Sequence, residues 1–433
     1  MAADYDQRRK ERNKLLSRTE TVSWLQNQEL ALPRASQGRL RVRLNLAVET
    51  ASNLEDYLAC LVENDAFVMF SFPTPPDKQA LTWLQAEPLS ALRSLLPKHL
   101  DVFGRWGAQL SGEFPEDLAE LLATAGIVTW QGGPLAEYFA AGQGGTLPDC
   151  LCRYASVDRL AHDYHRAGIP VRREVRGLRT STLIPPGLLV ALIVLEAKLA
   201  QAQGVTNLSA AYSLCGHLLQ DVAALRVLAT LTAELSATVI CLPWTGGSLL
   251  GLRNLTTVAA WTAATSALGS AQGCEVVAVD KDQPLTSDQV SLWLDLAQGV
   301  SRLATDQQQS LAAAVSQEEE QVRTEAEAII NRVLELGDGE VAPGLEPALA
   351  EGSLDLPLAP AGICRGQVLS ARDATGAVRF LDCGALPLPP ESKELHIQLL
   401  EERARSEGRE LGISMVIDDV YAFSKGALVG RIK

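Results

Sequence analysis

Short apolar runs alternate with helix-patterned stretches from about residue 30 to residue 280. The runs are Leu30–Arg34, Ala66–Phe72, Leu100–Arg105, Gly126–Gln131, Ile169–Glu174, Asn207–Tyr212, Ala237–Trp244 and Glu275–Asp280. Strands that alternate with helices predict parallel pairing, because a parallel neighbour is reached only through a long crossover. Eight such units in this length match a closed (β/α)8 TIM barrel, with a doubly wound open sheet as the competing architecture. Several runs are continuously apolar and rich in Val and Ile, the pattern of strands buried on both faces. In a barrel of this kind the chemistry belongs to the loops that follow the strands.

The flanks read differently. Residues 5–27 predict a charged amphipathic helix with Leu15, Leu16, Val22, Trp24 and Leu25 on one side. Helices are also expected over Ser156–Ala167, Leu188–Gln203, Ser287–Leu303 and Ser316–Leu336, the last with an acidic start that suits a helix N-terminus. From Gly337 onward Pro and Gly become frequent. Gln367–Arg372 and Ala377–Asp382 flank a turn at Asp373–Gly376 and predict a hairpin, followed by a charged helix at Glu391–Ser406 and the apolar run Ile413–Phe423. The organisation expected is therefore an α/β chain in three parts. These are an N-terminal helical extension (1–28), a (β/α)8 barrel with its following helices (29–336) and a small C-terminal α+β domain (337–433).

Composition narrows the function classes. A chain of 433 residues with net charge −14 lacks the concentrated Lys and Arg of a nucleic-acid surface, and aromatics at 5% leave little for base stacking. The most apolar stretch, Leu183–Ala200, is interrupted by Pro185, Pro186, Glu196 and Lys198, so no membrane span is expected. The eight cysteines are scattered without zinc-site spacing, and no metal is expected. They read as buried free thiols of a cytoplasmic protein.

Candidate chemistry gathers where the runs end. Arg34 closes the first run, Arg105 the third, Gln131 the fourth, and Arg172, Arg173 and Glu174 the fifth. Arginines around a barrel mouth suit a carboxylate, because guanidinium offers a planar two-pronged donor. The alternative reading is ordinary surface arginine. His217, at the start of the helix after the sixth run, reads best as a helix cap or a packing residue.

Three motifs around the sixth unit, Thr180-Ser-Thr-Leu-Ile-Pro-Pro186, Gly204-Val-Thr-Asn207 and Cys215-Gly-His-Leu-Leu-Gln-Asp-Val-Ala-Ala-Leu-Arg226, carry a resemblance. So do Leu354-Asp-Leu-Pro357, Ala371-Arg-Asp373, Gly376-Ala-Val-Arg379, Glu407-Gly-Arg-Glu410, Met415-Val-Ile-Asp-Asp419 and Gly430-Arg431. In this order they resemble the catalytic E (epsilon) subunit family of glutamate mutase, or methylaspartate mutase. That resemblance implies a barrel facing adenosylcobalamin on a separate small cobalamin-binding subunit, and a radical isomerisation of glutamate to 3-methylaspartate. A dimer or heterotetramer acting on a small carboxylate or amino acid follows from it, with no nucleic acid and no membrane as partner. No Asp-x-His-x-x-Gly cobalamin motif occurs in this chain, so the second subunit would have to carry the cofactor.

Carried over position by position, the resemblance makes Arg34 and Arg105 substrate-clamping arginines. Gln131 stands where the family has a glutamate for the substrate amine, and it is the catalytic and substrate-binding candidate. Gly132, Gly133, Gly246, Gly247 and Lys281 are the cofactor-side candidates. Other family groups are missing. Ser71-Phe-Pro-Thr-Pro-Pro76 has no arginine, Glu137 and Ala141 stand where tyrosines are expected, and Leu242-Pro-Trp-Thr-Gly-Gly247 lacks the His-Gln step. The reading is a mutase relative with altered substrate or reduced activity. The alternatives are a cobalamin-independent barrel enzyme on a small carboxylate, or a non-catalytic scaffold.

Overall fold

The computed structural model describes residues 18–27, 40–47, 54–64, 66–71, 106–110, 112, 115–140, 145–178, 181–243, 252–279, 286–357 and 363–424. Eight parallel strands close into a barrel in chain order: β1 (Arg41–Ala47), β2 (Phe67–Ser71), β3 (Trp106–Gln109), β4 (Thr129–Gln131), β5 (Arg172–Val175), β6 (Leu208–Ser213), β7 (Thr238–Leu242) and β8 (Gly273–Val279). β8 pairs back onto β1, which excludes the open sheet.

Two strands differ from the expectation. The first is Arg41–Ala47 and not Leu30–Arg34, and the third is Trp106–Gln109 and not Leu100–Arg105. The cause is the lumen. β1 alternates Arg41, Arg43 and Asn45 with Val42, Leu44 and Leu46, and only the second set joins the apolar core. A search for continuous apolar runs passes over a strand whose inner face is charged. The same alternation makes Arg172 the first residue of β5, at the end away from the mouth.

Outward-facing side chains of the strands, such as Trp106, Trp130, Val175, Tyr212 and Val276, pack with the surrounding helices in one large core. Helix α1 (Arg18–Gln26) precedes the barrel, and α2 (Leu54–Glu63) and α3 (Pro115–Thr124) follow β1 and β3. Two helices follow β4, α4 (Pro134–Ala140) and α5 (Leu147–Arg166), the latter opened by a reciprocal Thr146/Asp149 cap. After β5, β6 and β7 come α6 (Pro186–Ala202), α7 (Leu218–Leu231) and α8 (Leu252–Leu268). The stretch beyond β8 supplies α9 (Ser287–Thr305), α10 (Gln308–Leu336) and α11 (Val341–Glu351).

The most apolar stretch of the sequence forms α6, buried on all sides between the barrel and α10. An all-round apolar helix is stable only in such a position. Among the described residues no helix is long and apolar enough to cross a membrane.

The hairpin forms as predicted, with β9 (Leu369–Arg372) antiparallel to β10 (Val378–Asp382), and α12 (Pro390–Ser406) and α13 (Ile413–Ser424) follow. Its apolar residues divide. Val368, Phe380 and Leu388 belong to the barrel's own core, while Ala371, Leu400, Ala404, Met415 and Val416 form a small second cluster. Polar contacts at the seam are numerous. The Gln220 side chain of α7 donates to Val378 O at 3.1 Å and accepts from Val378 N at 2.7 Å, pairing with β10 as a neighbouring strand would. The glutamates of α10 serve as ion-pair partners more than as helix-end charges. Glu318 pairs with Arg379 and Glu319 with Arg226 at 3.1 Å, while Glu325 shares a hydrogen bond with His396 Nε2 at 2.7 Å.

Arg372 is the deepest of these links, with no solvent exposure. Its guanidinium donates to Thr182 O at 2.7 Å, Cys215 O at 2.6 Å and Gly376 O at 2.5 Å. Asp419 accepts from Arg372 N and from Arg403 Nη1, each at 2.8 Å. An Arg372→Met variant leaves three buried carbonyls without their donor. Its unfolding free energy in a urea titration should fall by about 3 kcal/mol or more. A loss under about 1 kcal/mol would show that the hairpin does not depend on this residue.

Candidate functional site

Strands of a parallel barrel aim their C-terminal ends at one face, and the lumen below that face is normally filled by branched apolar side chains. Here it is charged. Arg43 of β1 spans the lumen to Glu174 of β5, the opposite strand in a ring of eight, with Nη1–Oε2 at 2.7 Å and Nη2–Oε1 at 2.6 Å. Its Nε also donates to Glu275 of β8 at 3.1 Å, and Asn45 Nδ2 donates to the other Glu275 oxygen at 3.1 Å. Ser71 Oγ donates to Asn45 Oδ1 at 3.0 Å. All five acids, amides and guanidiniums that meet in the middle of the barrel (Arg43, Asn45, Gln131, Glu174 and Glu275) are buried.

Burial alone would lower the Arg43 pKa, but the two carboxylates hold it well above its ordinary value. Burial would raise Glu174, and Arg43 instead holds it below the usual carboxylate range. The pair is thus fully ionised, and Glu174 cannot serve as a proton carrier near neutral pH.

Gln131 sits on this pair at the mouth end of β4. Its Nε2 donates to Glu174 Oε1 at 2.5 Å, and its Oε1 accepts from Arg176 Nη1 at 3.2 Å. Arg176, just past β5, also donates from Nε to Leu178 O at 3.2 Å. The described half of the mouth therefore presents a guanidinium and an amide above a neutralised ion pair. Among the described inward positions, Arg41, Arg43, Arg172 and Arg176 accompany Glu174 and Glu275.

Buried side chains from the helix layer fix the loops of this half. Arg173, expected at the mouth, points outward instead. It binds Asp158 Oδ1 at 2.6 Å, Trp130 O at 2.6 Å and Gly132 O at 2.9 Å. Glu196 of α6 accepts from Leu135 N and Ala136 N, both at 2.9 Å, and from Gly177 N at 2.9 Å and Arg176 N at 3.2 Å. One carboxylate thus joins the loops after β4 and β5, although burial still pushes its pKa up. Asp221 of α7 does the same after β6, accepting from Cys215 N at 2.8 Å, Gly216 N at 2.9 Å and Tyr212 OH at 3.0 Å. His217 is a helix cap, its Nδ1 accepting from Gln220 N.

The glycine pair is packed tightly. A Cβ on Gly133 would lie 2.2 Å from Glu196 Oε1, and one on Gly132 would lie 2.9 Å from Leu110 O and 3.0 Å from the Tyr154 hydroxyl. The protein's own packing therefore requires glycine at both positions. Arg34, Arg105, Gly246, Gly247 and Lys281 lie outside the described residues.

Arg43, Asn45, Arg176 and Glu275 were missed as site residues by the sequence reading. The signal was present: Arg-x-Arg-x-Asn over 41–45 and Arg-x-Glu-x-Arg over 172–176 place like side chains on one strand face.

The family described as Methylaspartate mutase E chain matches residues 108–432. Among curated relatives, a protein named glutamate mutase epsilon subunit from Desulfitobacterium hafniense is 36% identical over 326 residues, covering 72% of this chain and 67% of that one. Proteins of the same name from Halobacterium salinarum (34%) and Haloarcula marismortui (33%) each cover 72% of this chain, and 67% and 66% of their own.

Two outcomes follow from the buried charges. Glu174→Gln strips Arg43 of its two-pronged partner and should cost about 3–5 kcal/mol in denaturant unfolding; a change within experimental scatter would show that the cross-lumen pair is not structural. Asp221 gives a pH signature. Burial raises its pKa from 3.8 to about 6. Its contribution is therefore present below about pH 4 and lost as pH rises through about 6. Between those limits the wild type should lose about 3 kcal/mol relative to the non-titrating Asp221→Asn. A constant difference between the two proteins would refute the shift.

Proposed function

The chain belongs to the methylaspartate mutase E chain family, and from that membership we propose that it is the barrel subunit of a mutase-type enzyme acting on a small carboxylate or amino acid. The observation that carries the reading is the mouth of the barrel, where Arg176 and Gln131 stand over a neutralised ion pair. Arg176 would engage a substrate carboxylate and Gln131 would orient a neighbouring polar group. Arg34 and Arg105, expected to close the first and third strands, precede Arg41 and Trp106 in the chain, so the clamp is proposed on Arg176. The relatives' shared name, epsilon subunit, supports a partner subunit, which we take to be a small cobalamin-binding protein.

Adenosylcobalamin would supply radical chemistry if that subunit brought it to the mouth. Within this chain the Gly132–Gly133 turn is packed against Leu110, Tyr154 and Glu196. The chain's own tasks are positional. It holds an anion, keeps the surrounding loops rigid through Glu196 and Asp221, and shields the lumen from water.

A second reading has an observation in its favour. The family glutamate is here Gln131, a neutral side chain whose oxygen and nitrogen are both engaged. An amide is not a base near neutral pH. This favours a substrate other than glutamate over an unchanged reaction.

The deciding experiment titrates adenosylcobalamin into the chain with and without a small Asp-x-His-x-x-Gly subunit, adds amino and other carboxylic acids, and records spin-resonance spectra. A radical signal that requires both proteins and one class of carboxylate is expected. Absence of cofactor binding and of any radical with every partner tried would exclude the mutase reading and leave the cobalamin-independent one.

A further inference from the structure

The closed end of the lumen, away from the mouth, contains an arrangement that the reaction does not use. Arg41 opens β1 and Arg172 opens β5, so two guanidiniums start from opposite strands one layer below the Arg43–Glu174 bridge. They line a cavity of about 40 Å³. Gly107 and Gly273 also line it, with the Met69 and Ile240 side chains filling the positions a Cβ would take there. Thr129 and Ser209 complete the wall, and their buried hydroxyls have no hydrogen-bond partner.

The charge balance of this layer is unusual. Neither Arg41 nor Arg172 forms an ion pair among the described residues, although Arg172 Nε donates to Asn207 Oδ1 at 3.3 Å. Glu174 also lines the cavity, but Arg43 and Gln131 already occupy both of its oxygens. Burial and the charge of Arg41 lower Arg172 to about 10, and burial lowers Arg41 as well. In the layer above, an acid stands between the walls; among the described residues of this one, Glu174 reaches the cavity only from that upper layer.

We propose that the cavity binds a small inorganic monoanion of about halide size, held between Arg41 and Arg172 and hydrogen-bonded by Thr129 and Ser209. Guanidinium is a donor without acceptor capacity, and both hydroxyls can turn to donate. Water satisfies such donors through two lone pairs but leaves the like charges of two half-buried guanidiniums facing one another, which is the costly part. The volume accepts a few water-sized atoms, the scale of a monatomic anion. The anion takes the structural place that Glu174 has one layer higher, tying β1 to β5.

The test uses the purified full chain. Thermal unfolding is followed in sodium chloride and in sodium gluconate at matched ionic strength, because gluconate is too large for the cavity. Crystals grown in bromide are examined by anomalous scattering. Ligand that binds only the folded state raises the melting temperature with its concentration. The expected results are a saturable rise specific to chloride and a bromide peak between the two guanidiniums. Ser209→Ala, a change that should leave folding intact, is expected to raise the half-saturating chloride about tenfold. Arg172→Met should abolish the response. Melting that ignores anion identity, a cavity holding solvent only, or a chloride response retained in Arg172→Met would each overturn the proposal.

Discussion

One ion pair across the barrel sets the terms for everything around it. Arg43 reaches from β1 to Glu174 on β5, so the lumen is bridged by charge where most barrels of this class are packed with branched apolar side chains. A guanidinium and a carboxylate taken out of water cost several kcal/mol each unless their remaining donors and acceptors are satisfied. Glu275, Asn45, Ser71 and Gln131 do this work, drawn from β8, β1, β2 and β4. Five strands are thereby committed to one register. A slip of one residue in β1 would carry Arg43 into the apolar helix layer, so the buried charges specify the pairing more sharply than an apolar lumen could.

The same economy recurs outside the strands. Arg173, Glu196, Asp221 and Arg372 are each buried side chains that bind backbone groups of the loops after β4, β5 and β6. Loop backbone at a barrel mouth is ordinarily met by water. Here charged side chains from α6, α7 and the C-terminal hairpin replace that water, and they explain the close approach at Gly132 and Gly133. The hairpin is therefore part of the mouth's support. Arg372 binds loops after both β5 and β6, and Gln220 joins α7 to β10.

How much of this could be read beforehand follows from periodicity. Strands β2, β6 and β7 carry mostly apolar or small residues on both faces, β4 and β8 add one long polar side chain each (Gln131 and Glu275), and the runs of all five were found within a few residues. β1 alternates charged or polar residues with apolar ones and was placed too early in the chain, and β5, three charged residues before Val175, was ended one residue short. The helix after β5 was legible because it is apolar throughout, whereas its one acid, Glu196, stood only as an interruption of the run. Nothing in linear spacing reveals that Glu196 meets Gly133, since the contact is made by tertiary packing across 63 positions. The motifs around Thr180–Pro186 and Cys215–Arg226 were legible for a physical reason as well. They contain Ser181, Thr182, Cys215 and Asp221, whose backbone or side-chain groups join neighbouring loops to each other and to the hairpin.

The identity of residue 131 can be argued from the same bridge. Its neighbours are an acceptor, Glu174 Oε1, on one side and a donor, Arg176 Nη1, on the other. A carboxylate in that position would face the Glu174 oxygen at hydrogen-bond distance, and two like charges so close in a buried site cannot both remain ionised. An amide satisfies both neighbours with one donor and one acceptor and adds no charge. The replacement of the glutamate that the resemblance places here is thus coupled to the cross-lumen pair. Arg43 is committed to Glu174 and Glu275, so it is not available to a second acid at position 131. The identity of residue 131 at the mouth is thus tied to the layer below it, through the Arg43–Glu174 pair.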